Sequence, residues 1–333
     1  MEHTQVDGPI AAPRRRSGLG SRLLLLLVGI LLPLLALEVV LRLNHVRVKA
    51  LSVYQPAADP IVSYVGKPHA RPDINALGFR DREHAIAKPP GVFRILVLGD
   101  SVTNGYGVEV EEMYTRRLES LLAERDGERY EVVNFGLPQY STVQEVTLFR
   151  ERGAQMRPDL VIVGYVLNDP TRSGRINDFF EHDRAPSLAA EWLTRQVKEV
   201  LRLREPVELL DDCEPFDYYS RLNCDAGKWA TVSASFRELG SLSRADGFPV
   251  LVVIFPLVDG ASFDDYRWGS FHRRVAEEAA ANGFACLDLL PVFAQRSPSE
   301  LWIKRSDDLH PNPLGHRIAA TAIYRALVDL GVD

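Results

Sequence analysis

Residues 93–107 read Phe-Arg-Ile-Leu-Val-Leu-Gly-Asp-Ser-Val-Thr-Asn-Gly-Tyr-Gly, and this stretch decides the fold. FRILVLG is a short unbroken apolar run, the pattern of a strand covered on both faces. Gly99, Asp100 and Ser101 end it in a turn, and EEMYTRRLESLLAER (111–125) follows with helical spacing. Outward from there the same unit recurs. YEVVNFG (130–136), DLVIVGYVL (159–167), FPVLVVIFP (248–256) and FACLDL (284–289) are further apolar runs. Between and after them, residues 141–156, 188–203, 231–245, 266–282 and 313–330 carry helical spacing. Asn312 before Pro313 is a good helix start, an N-cap followed by proline at the first position. Five strands alternating with helices predict a three-layer α/β/α sandwich on a five-stranded parallel sheet. In such sheets the chemistry collects at the carboxyl ends of the strands. Every candidate residue is therefore tested for lying just past a strand end.

The chain has 333 residues, 46% hydrophobic and 25% charged, with a formal charge of −6. That balance argues against a general nucleic-acid binder, which needs a basic footprint to displace counterions. Residues 1–49 hold seven Lys/Arg against three Asp/Glu, so the body is more acidic than the total. The basic part belongs to a membrane argument. Residues 23–43, LLLLLVGILLPLLALEVVLRL, are long enough to cross a bilayer, which takes about 20 residues of helix. Arg14, Arg15, Arg16 and Arg22 precede it, so the positive-inside tendency puts residues 1–22 in the cytoplasm. A cleaved signal peptide is the rival reading. The apolar run exceeds a typical signal core, and no A-x-A-like site follows, which favours an uncleaved signal anchor. Glu38 and Arg42, one turn apart near the far end, are spaced to pair. Residues 44–92 read as a Pro-rich segment packing on the domain, and 93–333 as the domain itself, outside the cytoplasm.

Cys213 and Cys224 flank a short polar stretch and read equally as a loop disulfide or as two free thiols. Cys286, in GFACLDLL, reads as a small buried hydrophobe. No metal-ligand spacing is present in the sequence, and the chemistry below asks for no cofactor.

Ser101 follows the first strand directly, where its backbone N–H and the following turn favour developing negative charge. For an isolated Gly-Asp-Ser, a helix-capping serine would be the better reading. Asp307-Asp308-Leu309-His310 lies between the last strand and the last helix. A serine hydroxyl needs an imidazole to take its proton, and the imidazole needs a carboxylate to fix its tautomer. Asp307, three residues before His310, can fold back onto Nδ1; His316 reads as structural or surface. Gly136 ends the second strand and Asn168 the third, placing a backbone N–H and a side-chain amide where an oxyanion would form. Four separate parts of the chain thus meet the strand-end test.

These blocks resemble the SGNH (GDSL-type) hydrolases. The first block matches as Gly99-Asp100-Ser101 in VLGDSVTNGYG, the second as Gly136 in VVNFGLPQYS, the third as Asn168 in VGYVLNDP, and the fifth as Asp307 and His310 in DDLHPNPLGH. The resemblance covers roughly residues 93–330. One position departs from it: Val166 stands where the family's third block usually has glycine. Residues 75–81 (NALGFRD) resemble a segment found upstream of the domain in envelope-associated members, without a mechanism attached. The resemblance implies a flavodoxin-like sandwich and hydrolysis of a carboxylic ester, an acyl group on an envelope glycan or lipid. An acyltransferase using the same triad on an envelope polysaccharide, and a non-catalytic envelope binding module, are the alternatives. The aromatics of residues 170–228, among them Trp192, Phe216 and Tyr219, with Trp229 just after them, suit a pocket wall for sugar or acyl chain alike.

Overall fold

The computed structural model describes residues 18–127, 129–171, 175–181, 186–201, 207–304 and 309–332. They fall into two compact units, residues 1–50 with 185–203, and residues 51–184 with 204–333.

In chain order the helices are α1 (Leu19–Leu51), α2 (Tyr114–Asp126), α3 (Thr142–Leu148), α4 (Arg175–Glu181) and α5 (Leu188–Val200). They continue with α6 (Tyr218–Cys224), α7 (Ala226–Asp246), α8 (Gly269–Ala281), α9 (Leu290–Phe293) and α10 (Pro313–Asp329). The strands are β1 (Tyr54–Pro56), β2 (Tyr64–Gly66), β3 (Phe93–Gly99), β4 (Tyr130–Gly136), β5 (Leu160–Tyr165), β6 (Val250–Ile254) and β7 (Ala285–Asp288).

The first unit holds α1 and α5. Within α1, Leu19–His45 is 27 residues long with mean hydropathy 2.9, long and apolar enough to cross a membrane. The helix runs on past Leu43, where the apolar stretch stops, to Leu51.

The second unit is the sandwich. Its sheet has the order β4-β3-β5-β6-β7, every neighbour parallel. Both faces are covered, which is why the strands read as unbroken apolar runs. Ile95 and Val97 of β3 face a core shared with Tyr114, Leu118 and Ile323 of α2 and α10. Leu96 and Leu98 face the opposite core, with Phe236 and Leu239 of α7 and Val275 of α8. The chain leaves β3 for β4 on one side and returns past it to β5 on the other. Strand order therefore reverses at β3, and the crevice at its carboxyl end is the place where such sheets bind ligands.

The helix expected over 141–156 divides into α3, a π-helical turn at Phe149–Gly153 and a 3-10 turn at Ala154–Met156. A Cβ on Gly153 would lie 2.6 Å from the Phe149 ring and 2.9 Å from Leu96, so backbone and sheet approach closely there. Cys213 and Cys224 are bonded to each other. Cys286 is exposed rather than buried. β7 is the edge strand and short, and none of its four residues is fully buried. A β1–β2 hairpin and the compact turns of residues 67–92 precede the sheet.

Candidate active site

At the end of β3 the chain turns at once. Asp100 Oδ1 accepts the Val102 N–H at 2.8 Å, and the Asp100 carbonyl accepts the Asn104 N–H at 2.9 Å, closing a tight turn with Ser101 on it. The turn sits on a row of three glycines in register, Gly136, Gly99 and Gly164, on β4, β3 and β5. A Cβ on Gly99 would lie 2.0 Å from Thr103 Oγ1, one on Gly164 2.7 Å from the same atom, and one on Gly136 2.7 Å from the Thr103 carbonyl carbon. All three are therefore cut back to make a seat for Thr103, which is buried and hydrogen-bonded to Tyr114 Oη at 2.8 Å.

NALGFRD braces this turn from the side. Asn75 Oδ1 accepts the N–H groups of Leu77 and Phe79, each at 3.0 Å, and Gly78 takes the left-handed φ of +87° that folds the segment back. Phe79 stacks on Phe135 of β4 at 4.2 Å. Arg80 then reaches the loop after the serine, donating to the carbonyls of Gly105 at 2.5 Å and Val108 at 2.7 Å, with Asp73 holding its Nε at 2.7 Å. Asp81 Oδ2 accepts the Asn134 N–H at 2.9 Å. Asn134 in turn donates from Nδ2 to the Thr103 carbonyl and accepts the Gly136 N–H on Oδ1, both at 2.7 Å.

His310 comes from the other end of the chain. Its Nε2 lies 2.8 Å from Ser101 Oγ, and the Tyr106 ring lies against the imidazole at 4.6 Å. The loop carrying it is pinned on both sides. The Ile303 N–H donates to the His310 carbonyl at 3.3 Å, and Asn312 donates to the Leu301 and Glu300 carbonyls while its Oδ1 caps α10. Asp307 lies outside the described residues. His316, one turn into α10, is buried and accepts the Tyr114 N–H on Nδ1 at 3.1 Å. It thereby satisfies an orphan donor at the start of α2. Burial, and then the charge of Arg117, lower its pKa to about 3, so it is neutral and structural.

Ser101 Oγ also lies 3.1 Å from Asp100 Oδ2, which receives the Asn168 Nδ2–H at 3.0 Å. The hydroxyl has one proton and two acceptors within reach, with the imidazole the nearer. Behind Asp100 lie two more buried acids, Glu145 and Asp169. Burial raises both well above the ordinary carboxyl range, with Asp100 adding to it for Glu145, and Glu145 and then Asp100 for Asp169. Burial thus favours the protonated form in both, which lessens the negative charge stacked behind the serine. Val166, the departure from the usual third block, is buried in the core shared with α2 and α10 and still leaves the Asn168 amide beside Asp100.

For an oxyanion, the Ser101 N–H has no acceptor among the described residues. The Gly136 N–H is engaged by Asn134 and the Asn168 amide by Asp100. Asp100 as a second acceptor, Tyr106 against the imidazole, Gly164 under the turn and Arg80 across it were not singled out by sequence reasoning. The legible signal for Arg80 was the NALGFRD segment itself. Among the described residues, no three His, Cys, Asp or Glu side chains are grouped to hold a metal ion.

Compared with known proteins, residues 97–318 match the GDSL-like Lipase/Acylhydrolase family. No curated protein matches. Among solved structures, an acetyl xylan esterase is 14% identical, covering 71% of this chain and 100% of its own, with a TM-score of 0.47. A catalytic mutant of an acetylxylan esterase from Geobacillus stearothermophilus is 18% identical, covering 70% and 93%, with a TM-score of 0.47. An alpha/beta hydrolase from the metagenome of Lake Arreo, Spain, is 18% identical, covering 70% and 94%, with a TM-score of 0.45.

Proposed function

The chain belongs to the GDSL-like lipase/acylhydrolase family and is a carboxylic ester hydrolase, and from that premise we propose that Ser101, His310 and Asp307 form its catalytic triad. The observation that carries this is the 2.8 Å approach of His310 Nε2 to Ser101 Oγ at the strand-order reversal. In this reading Ser101 Oγ attacks the acyl carbon while its proton passes to His310 Nε2. Asp307, assigned from its spacing to His310, holds Nδ1–H and stabilises the imidazolium. The oxyanion takes the Ser101 N–H first. The Asn168 amide joins by turning from Asp100, and the Gly136 N–H by leaving Asn134 Oδ1. His310 returns its proton to the leaving alcohol. It then takes one from water, whose oxygen attacks the acyl-enzyme, and returns it to Ser101 Oγ as the acid leaves.

The substrate in this reading is an acyl ester on an envelope glycan or lipid. The α1 span supports an anchor, the arginines before it support a cytoplasmic N-terminus, and the Cys213–Cys224 bond fits an oxidising compartment for the domain.

Full-length protein in detergent micelles, given p-nitrophenyl acetate and a fluorophosphonate probe beside Ser101→Ala, tests the nucleophile. Hydrolysis and labelling should vanish together in the variant. A folded wild type that neither hydrolyses nor labels would sink the triad.

A further inference from the structure

Helix α5 belongs to the same compact unit as α1. Its first turn is tied to the membrane-length helix by a small polar clasp. Ser187 Oγ and the Ala189 N–H both donate to Glu38 Oε2, at 3.0 and 2.7 Å. Arg42 donates to the Pro186 carbonyl at 3.0 Å and to Glu38 Oε1 at 2.5 Å. A carboxylate of α1 thus caps the N-terminus of α5, where the orphan N–H groups and the helix dipole favour it. This accounts for an acid and a base inside an otherwise apolar run.

The clasp also fixes depth. The Leu19–His45 span is about 40 Å of helix at 1.5 Å per residue, against a hydrocarbon layer of about 30 Å. Glu38 lies seven residues before His45, about 10 Å from that end, and so about 5 Å inside the hydrocarbon edge of a centred span. A helix capped there begins just below the boundary between headgroups and acyl chains, within the roughly 5–10 Å to which interfacial helices sink.

Along α5 and the residue after it, Leu193, Val197, Val200 and Leu201 recur at the i, i+4, i+7 and i+8 spacing of one helix face, and Trp192 adjoins it. All five are exposed, Val200 at 78% and Leu201 at 60%. Glu191 lies off that face; Thr194, next to Leu201 around the helix, turns its hydroxyl back to the Ala190 carbonyl. A stripe of large apolar groups with a tryptophan on the flank beside it, starting near the headgroup–acyl boundary, has the composition of a helix lying in a membrane interface.

We propose that α5 is such an interfacial helix. Its Trp192–Leu201 face sinks into the headgroup–acyl boundary of the bilayer that α1 crosses, and phospholipid is its partner. Lipid is favoured over a second protein because the cap that starts the helix is built on a residue of the span itself. The inference rests on reading α1 as a membrane span.

The test uses the full chain in phosphatidylcholine–phosphatidylglycerol vesicles, with and without bromine on the acyl chains, beside Trp192→Phe. Flotation after an alkaline carbonate wash reads the span. Bromine quenching that disappears in Trp192→Phe reads α5. The expected result is flotation of both proteins and a quenched share of up to one tryptophan of the four, present only in the wild type. Leu193→Glu combined with Val197→Glu should lose the same quenching and still float. Flotation with equal quenching in wild type and Trp192→Phe overturns the interfacial helix and leaves the span. Quenching that survives both glutamates overturns the assignment of that face. Failure to float removes the span and the interfacial helix together.

Discussion

Two histidines sit at the carboxyl edge of the same sheet, each beside a hydroxyl, and only one of them is arranged for chemistry. His272 of α8 is buried, with Nδ1 2.9 Å from Asp288 at the end of β7 and Nε2 2.9 Å from Tyr266 Oη. On paper that is a complete acid–imidazole–hydroxyl line. Yet Tyr266 Oη accepts the Leu257 N–H at 3.0 Å, and burial holds its proton on far above the ordinary phenol range. His310 instead meets an aliphatic hydroxyl on a strand-end turn, next to a backbone N–H without an acceptor among the described residues. A histidine between an acid and a hydroxyl is thus not enough. The turn under Ser101, with its three-glycine seat, is what separates the two.

The comparison can be broken at its strongest point first. Ser101→Ala or His310→Ala should each lower kcat for ester hydrolysis by on the order of 10⁴-fold or more, while His272→Phe should leave it within about twofold. Comparable losses in all three would erase the distinction. Next comes charge stabilisation. Asn168→Ala should cost about 10²- to 10³-fold in kcat with the fold intact, read beside circular dichroism. The Arg80 brace acts through position. Arg80→Met should lower kcat about tenfold with little change in KM, because the loop after the serine loses two carbonyl tethers.

The remaining effects are on stability. His272→Phe leaves Tyr266 and Asp288 without their imidazole partner, costing about 1–3 kcal/mol, so its melting temperature should fall by about 5 °C while turnover holds.

A third histidine sharpens the contrast through pH. Burial works against a charged His84, but hydrogen bonds to Asp81 and Glu131 outweigh it and raise its pKa above the ordinary value. Burial likewise opposes a charged Glu131, and His84 and Arg94 outweigh it, lowering that pKa from 4.5 to about 2. The Glu131 contribution is full above pH 4.5 and disappears as pH falls toward 2. The His84 contribution is full below pH 6.5 and disappears as pH rises through its raised folded value. Melting curves from pH 2 to 9 should show both limbs, and Glu131→Gln should flatten the acid one. An unchanged acid limb would dissolve the network.

How far the sequence could be read follows the same physics. Continuous apolar runs announced β3 through β7, because a parallel sheet buried on both faces leaves no polar alternation to confuse the period. Ser101 and His310 were legible because each follows a strand and sits in a short distinctive block. The seat beneath them was not. Gly164 carries no local signal, and its meaning comes from Thr103, sixty-one positions earlier, through strand register. NALGFRD was visible as a pattern and silent as a mechanism for a similar reason, since Arg80 and Asp81 act on Val108 and Asn134 across the fold. Helix 141–156 looked uniform because the period cannot register a π turn forced by close packing at Gly153. Cys286 misled because a short edge strand leaves its thiol exposed although the sequence around it is apolar.

Ser101 and His310 stand 209 residues apart in the chain. Under the triad reading, a ribosome that has translated as far as α7 has made the nucleophile and none of the base. α10, which packs on α2 and lends it His316 as a cap, is synthesised later still. Under that reading the nascent chain is an inert serine-bearing polypeptide until the segment carrying His310 has been made and has folded against it. A protease cut or a stop codon just before Trp302 would yield a protein that keeps Ser101 in sequence and is silent in every assay of it.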